Sequence, residues 1–189
     1  MTHRLLMICA YRPKRPVFPG GDILDNIEDG ALLPIPGSAL RGERFWCGPD
    51  PITLQSATAL GLDIDVRPEL AEMDFGSWRG RTLQDIAQSD PDGLRAWTVE
   101  PSATPHGGES VEALLERVGN WLAGCTTLSG RTIAVAPGSV IKACMLHALG
   151  APASAFRRID IEPMSSVTLV SDGRRWIMRL PAQAVGRSA

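Results

Sequence analysis

The sequence predicts an α/β protein, a three-layer α/β/α sandwich around a mainly parallel sheet with an antiparallel edge. Three observations carry this. Strand-like and helix-like segments alternate along most of the chain. The apolar run Thr132-Ile133-Ala134-Val135-Ala136 meets Pro137-Gly138-Ser139 and then a helical pattern, and the last two strand-like runs flank Asp172-Gly173. Such alternation builds parallel sheets covered on both faces, and a terminal hairpin adds the antiparallel edge.

Arg4 to Cys9 is an apolar run that stops before the turn-prone Arg12-Pro13-Lys14-Arg15-Pro16, so it reads as a buried first strand. Residues 12–37 are rich in Pro and Gly and lack periodicity, which predicts a long loop with at most a short helix. Arg44 to Cys47 reads as a strand, Pro51 to Leu60 as a helix and Ile64 to Val66 as a short strand. Thr82 to Ser89 and Pro91 to Trp97 read as helices. From Ser110 to Gly124, Val111, Leu114, Leu115, Val118, Trp121 and Leu122 recur at helical spacing opposite Glu112, Glu116 and Asn120. A further helix runs from Val140 to Leu149 and stops at Gly150. Ser166 to Ser171 and Arg174 to Leu180 complete the hairpin. There is no repeat and no second domain, so residues 1–189 form a single domain with a flexible tail expected over 181–189.

A chain of 189 residues buries roughly 70% of its unfolded surface, enough for a real core. Apolar residues at 44% and charged residues at 21% fit a globular domain rather than a disordered one. A net charge of −2 gives no overall attraction to nucleic acid or anionic membrane, so neither is expected as a partner. No apolar run approaches the roughly 18 residues of a membrane span, and no signal-peptide pattern follows Met1, which points to the cytoplasm. Cys9, Cys47, Cys125 and Cys144 show no C-x-x-C spacing, so no metal site, disulfide framework or cofactor is expected. Cys125 and Cys144 lie in apolar helical patterns as small core residues. The five tryptophans are scattered and read as core and pocket-wall aromatics.

Several stretches, in order, resemble the histidine phosphatase superfamily, the phosphoglycerate mutase-like group that includes the α-ribazole phosphatases. Gln55-Ser56-Ala57-Thr58-Ala59-Leu60-Gly61 resembles Q-T-A-x-A-L-G. Leu70 to Gly80 resembles L-x-E-x-x-F-G-x-W-E-G, and Pro105-His106-Gly107-Gly108-Glu109-Ser110 resembles P-x-G-G-E-S. Ala134 to Ala143 resembles the last catalytic strand and turn, V-x-H-G-x-V-I-R-A. His147 to Pro152 and Phe156 to Ser165 resemble one bacterial branch of the group. The likeness implies that group's fold over residues 4–180.

Phosphohistidine transfer needs an imidazole nucleophile, cationic donors around the phosphoryl group, and a carboxyl to protonate the leaving oxygen. The resemblance implies R-H-G at the end of the first strand, and this chain has Cys9-Ala10-Tyr11. The second Arg falls at Ile52 and the second His at Pro137. Loss of single electrostatic contacts of this type costs about 3–4 kcal/mol each, and loss of the nucleophile removes the covalent route. Ligand-binding candidates are therefore Cys9, Ala10, Arg12, Ile52, Pro137, Gly138 and Ser139, lining a pocket that has become more apolar.

Catalytic candidates are Glu72, Tyr11 and His106. Glu72 matches the family's acid/base carboxyl, or else caps a helix or loop amide; burial would raise its pKa and favour the acid form. Tyr11 either donates a hydrogen bond to a ligand or plugs the old phosphate site. His106 serves as a base or as a structural residue. Cys9 is a thiolate or a small strand-end residue. Arg12, Lys14 and Arg15 rebuild an anion site or form a solvated loop. Gly138 is a turn glycine before it is an anion-binding amide, Lys142 is expected at the surface, His147 carries no chemistry, and His3 is expected to be an exposed terminal residue. The expected partner is a small organic ligand or substrate converted by proton transfer of isomerase, dehydratase or cyclase type. A non-catalytic scaffold and a residual phosphatase using the basic loop stay open, as does a homodimer.

Overall fold

β1 (His3–Cys9) has almost no polar position after Arg4, and Leu5 to Cys9 are buried on both faces. A strand of that kind belongs in the middle of a covered sheet. It pairs in parallel with β4 (Gly130–Ala136), Cys9 opposite Ala136, and antiparallel with β5 (Ser166–Ser171). The computed structural model describes residues 2–12, 17–19 and 40–180. Among them, six strands form one sheet in the order β3-β2-β4-β1-β5-β6, with β2 at Arg44–Cys47, β3 at Asp65–Val66 and β6 at Trp176–Arg179. The β2–β3, β2–β4 and β1–β4 pairs are parallel and the β5–β6 hairpin is the antiparallel edge, as the sequence predicts.

The alternation of side chains along β1 sorts the core into two layers. Leu5, Met7 and Cys9 pack in one cluster with α4 (Val111–Cys125) and α5 (Gly138–Leu149). Leu6, Ile8 and Ala10 pack in the other with Ala57 of α1 (Pro51–Ala59). Helices therefore cover both faces of the sheet. α2 (Leu83–Ser89), closed by a Thr82–Asp85 capping box, and α3 (Pro91–Val99) form a pair beside the first cluster.

The fold departs from the sequence reading at the start of β1. His3 is fully buried, not exposed. Its Nδ1 lies 3.0 Å from the Cys125 carbonyl, which requires Nδ1–H to donate, and Nε2 then accepts from Thr132 Oγ1 at 2.8 Å. The ring also meets Trp176 edge-on at 5.4 Å. His3 is buried because its strand is central in the sheet, an ordering that local sequence does not show. Val17 bridges Thr82, and Phe18 packs against Phe75 and Trp78 at 5.2 Å each. The rest of the long loop, including Lys14 and Arg15, and the tail at 181–189 lie outside the described residues.

Two loops are stitched together beside the sheet. Glu109 N–H donates to Asp74 O at 2.8 Å and Ser77 N–H to His106 O at 2.9 Å. The crossing is so close that a Cβ on Gly108 would sit 2.1 Å from Asp74 O. Gly108→Ala is therefore expected to lower stability by about 2–3 kcal/mol in urea unfolding. Gly124→Ala, where a Cβ would meet nothing within 4 Å, is expected to be neutral or slightly stabilising.

Candidate functional site

The parallel strands end together, and the ends of β1 and β4 form the floor of the site. Ala10 N–H donates to Ala136 O at 2.9 Å, which places Cys9, Ala10 and Tyr11 beside Pro137. Tyr11 N–H donates to Ser56 Oγ at 2.9 Å, and Ser56 Oγ donates to Ile52 O at 2.7 Å, so α1 delivers Ile52 to the same end of the sheet. The Tyr11 side chain is partly buried against the cluster that contains Ala10. Met164, held at φ 60, donates its N–H to Cys9 O at 3.0 Å and closes the strand end from the other side.

Pro137 caps α5, and Gly138 and Ser139 form its first turn; the helix starts two residues before the Val140 expected from the sequence. A Cβ on Gly138 would lie 3.6 Å from Cys9 Sγ. The Cys9 thiol is pushed up to about 11 by burial, against the pull of the Arg12 and Lys142 charges, so it stays protonated at neutral pH. That is the small strand-end role. Arg12 is exposed and turns toward the 160–161 loop, its Nη2 3.5 Å from Ile161 O and 4.0 Å from Asp160. Lys142 is not a plain surface residue. It is half-buried, its Nζ lies 5.6 Å from the centre of the Phe156 ring, and burial lowers its pKa. The reason is its place on the inward side of α5, facing Cys9 and Asp160.

Glu72 sits in the loop that crosses these strand ends. Ser139 Oγ donates a short hydrogen bond to Glu72 Oε1, and Met73 N–H donates to the same oxygen at 2.7 Å. Part of Glu72 remains open to solvent while its carboxyl is packed deep among protein atoms. Burial raises its pKa to about 7; the Ser139 and Met73 bonds pull the other way and do not win. Glu72 thus caps a loop amide and also has the raised pKa of a proton-transfer group.

Two residues that the sequence reading did not single out hold this loop. Asp50 Oδ2 accepts the Glu72 N–H at 2.8 Å. Arg117, on α4, binds Glu109 through Nε and Nη2 at 2.9 and 2.8 Å, and donates to the carbonyls of Glu69 and Ala71. Glu109 is the acidic residue of the Gly-Gly-Glu-Ser stretch, and its partner is this structural arginine. An open groove of about 460 Å³ runs past Glu72, lined also by Asp74, Gly107, Gly108, Glu109 and Arg117. The sequence signal for Asp50 was its position before Pro51, which marks a helix cap. The side chain caps the loop instead of the helix.

His106 is buried and lies outside the groove lining, with its ring 5.2 Å from Trp78 and 6.0 Å from Phe75. Nδ1 accepts the Gly108 N–H at 2.9 Å, so the ring shapes the Gly107–Gly108 wall from behind. Burial lowers its pKa and keeps it neutral. His147 is exposed near the C-terminal end of α5. None of the chain's three histidines stands at the ends of β1 and β4. Among the described residues, no group of three or more His, Cys, Asp and Glu side chains could hold a metal ion, and no helix is long and apolar enough to cross a membrane.

Residues 52–183 match the profile of the histidine phosphatase superfamily, branch 1. The chain belongs to that superfamily. Its sequence is 30% identical over 104 residues to the adenosylcobalamin/alpha-ribazole phosphatase of Escherichia coli, a match spanning 53% of this chain and 51% of that protein. It is 46% identical over 63 residues to a bifunctional protein of Mycobacterium tuberculosis, spanning 33% of this chain and only 17% of the other. Solved structures agree on the fold. A putative alpha-ribazole-5'-P phosphatase from Escherichia coli superposes with a TM-score of 0.80 at 20% identity, covering 98% of this chain and 99% of its own. A mycobacterial glucosyl-3-phosphoglycerate phosphatase gives 0.76 at 21% identity, covering 94% and 97%.

Within this histidine phosphatase domain, the Glu72 carboxyl makes a checkable contribution to stability. Its folded pKa of about 7 lies above the ordinary 4.5, so the folded chain keeps a proton that the unfolded chain gives up. Stability from this group is therefore greatest below about pH 4.5 and falls as pH rises toward about 7. Glu72→Gln, which cannot ionise, should gain on the wild type across that window in paired thermal or urea melts. A difference that does not change with pH would contradict the raised pKa.

Proposed function

We propose that this chain keeps the histidine phosphatase fold without phosphohistidine transfer, and that its pocket binds a small organic molecule on which Glu72 moves a proton. One observation carries the reading. The ends of β1 and β4 hold Cys9, Ala10, Tyr11 and Pro137 in place of imidazole and guanidinium, while a carboxyl with a pKa of about 7 stays fixed above them. Ala10 offers no lone pair to attack phosphorus. The Cys9 thiol is protonated, and the exposed Arg12 guanidinium lies 4.0 Å from Asp160. A trigonal phosphoryl group with its spread negative charge would find little compensation there. A neutral or weakly polar molecule fits such a lining better, and a carboxyl that titrates near neutral pH suits isomerisation, dehydration or cyclisation.

The relatives supply the rival. They include proteins named as alpha-ribazole phosphatase and phosphoserine phosphatase, and the charges of Arg12 and Lys142 do reach the strand end. A phosphatase working through these cations is the second reading. Both are separated by one assay. With a generic aryl phosphate the wild type is expected to release phenol no faster than buffer, and its intact mass is expected to show no phosphoryl adduct. Hydrolysis that disappears in an Arg12→Ala, Lys142→Ala double variant would replace the proton-transfer reading with the phosphatase one. Once a converted ligand is found, Glu72→Gln is expected to slow turnover by at least about a hundredfold with the fold intact; unchanged turnover would remove Glu72 from the chemistry.

A further inference from the structure

β4 runs straight through Pro137 into α5, so Ser139 stands on the first helical turn at the mouth of the sheet. Its side chain is half-buried, and its hydroxyl proton points at Glu72 Oε1. The carboxyl cannot drift from this contact, because Met73 N–H holds the same oxygen and Asp50 holds the Glu72 backbone. An alcohol hydrogen-bonded to a fixed carboxyl, with that carboxyl's loop anchored by another group, is the arrangement that activates a nucleophile.

We propose that Ser139 is a nucleophile for acyl transfer with Glu72 as its general base, acting on small carboxylic esters or thioesters. This rests on the reading of Glu72 as a proton-transfer group and names the substrate class of that site. Ser139 Oγ forms a bond to the acyl carbon, its proton passes to Glu72 Oε1, and the carbonyl π pair moves onto oxygen. When that pair returns, the carbon–oxygen or carbon–sulfur bond to the leaving group breaks, and the alcohol or thiol departs with the proton from Glu72. Water then adds to the acyl-serine, giving its proton to Glu72. Collapse releases the carboxylic acid and returns the proton to Ser139 Oγ.

The surroundings suit a neutral acyl group. In α5 the N–H of Ile141 donates to Pro137 O at 3.2 Å and opens the helical ladder. The amides of Gly138, Ser139 and Val140 precede that ladder and have no carbonyl of their own helix to bind, and in the proposed mechanism they are assigned to a developing oxyanion. Cys9, Ala10 and Gly138 are small, and none of them carries a charge. A base that titrates near pH 7 is matched to neutral solution.

The test uses the whole chain. It is treated with an alkyl fluorophosphonate probe and mapped by peptide mass spectrometry, and hydrolysis of p-nitrophenyl acetate, p-nitrophenyl butyrate and an acetyl thioester is followed across pH. The probe is expected on Ser139. Ester turnover should rise with a midpoint near pH 7 and level off above it, and should fall by at least about a hundredfold in both Ser139→Ala and Glu72→Gln while their melting curves stay cooperative. Absence of the probe from Ser139 together with absence of ester turnover in the wild type would overturn the proposal, and this arm needs no variant to fold. Turnover unchanged in Ser139→Ala would overturn it too. If that variant stays active while Glu72→Gln is dead, the acyl proposal falls and proton transfer by Glu72 stands.

Discussion

The site depends on a junction in which four separate parts of the chain meet at the Glu72 loop. Asp50, from the start of α1, takes the Glu72 N–H; Ser139, from the start of α5, reaches the carboxyl; and Arg117, from α4, binds the carbonyls of Glu69 and Ala71 while paired with Glu109. Each contact is local, yet the elements come from both faces of the sheet. They can meet only when β1, β2 and β4 end at the same edge, which the parallel register of Cys9 with Ala136 and Cys47 with Val135 ensures. Ligand sites of open parallel sheets gather at that edge for the same reason.

The junction explains why the family's stretches are kept here. Gly76 and Gly108 are required where the two loops cross, since a Cβ on either would run into backbone 2.1 Å away. Phe75 and Trp78 fill the aromatic cluster with Phe18, and Glu109 neutralises Arg117. These positions hold the fold. At the strand ends Cys9 and Ala10 are also buried, each packed in one of the two core clusters. At Glu72, burial outweighs the Ser139 and Met73 hydrogen bonds and the Arg117 charge that oppose it. The carboxyl then becomes a group that exchanges protons at neutral pH, a property a phosphate-binding ring of guanidinium groups would suppress.

Much of the fold was legible in the sequence because its signals are local. The apolar runs of β1 and β4, the helical spacing of Val111, Leu114, Val118 and Leu122, and the turn at Asp172-Gly173 each carry their own pattern. The burial of His3 was not legible, because it follows from strand order, and a histidine next to the terminus looks like any other. Lys142 failed for a similar reason: which side of α5 faces the strand end is settled by packing around Phe156. In the candidate site, Glu72, Ala10 and Pro137 could be placed by resemblance. Asp50 and Arg117 could not, since the groups they hold in the Glu72 loop lie 22 and 46 or more residues away and are backbone groups that carry no sequence mark. The pairing of Ser139 with Glu72 spans 67 residues and was likewise invisible until the loop was placed over the strand ends.

The central claim is that burial of the Glu72 carboxyl outweighs its hydrogen bonds and the nearby Arg117 charge. Its carboxyl carbon can be followed directly by NMR titration of protein labelled at glutamate side chains, with Glu72→Gln to assign the signal. The account predicts a midpoint near 7. A midpoint near the ordinary 4.5 would mean that positive charge or water reaches the carboxyl after all, and would contradict it.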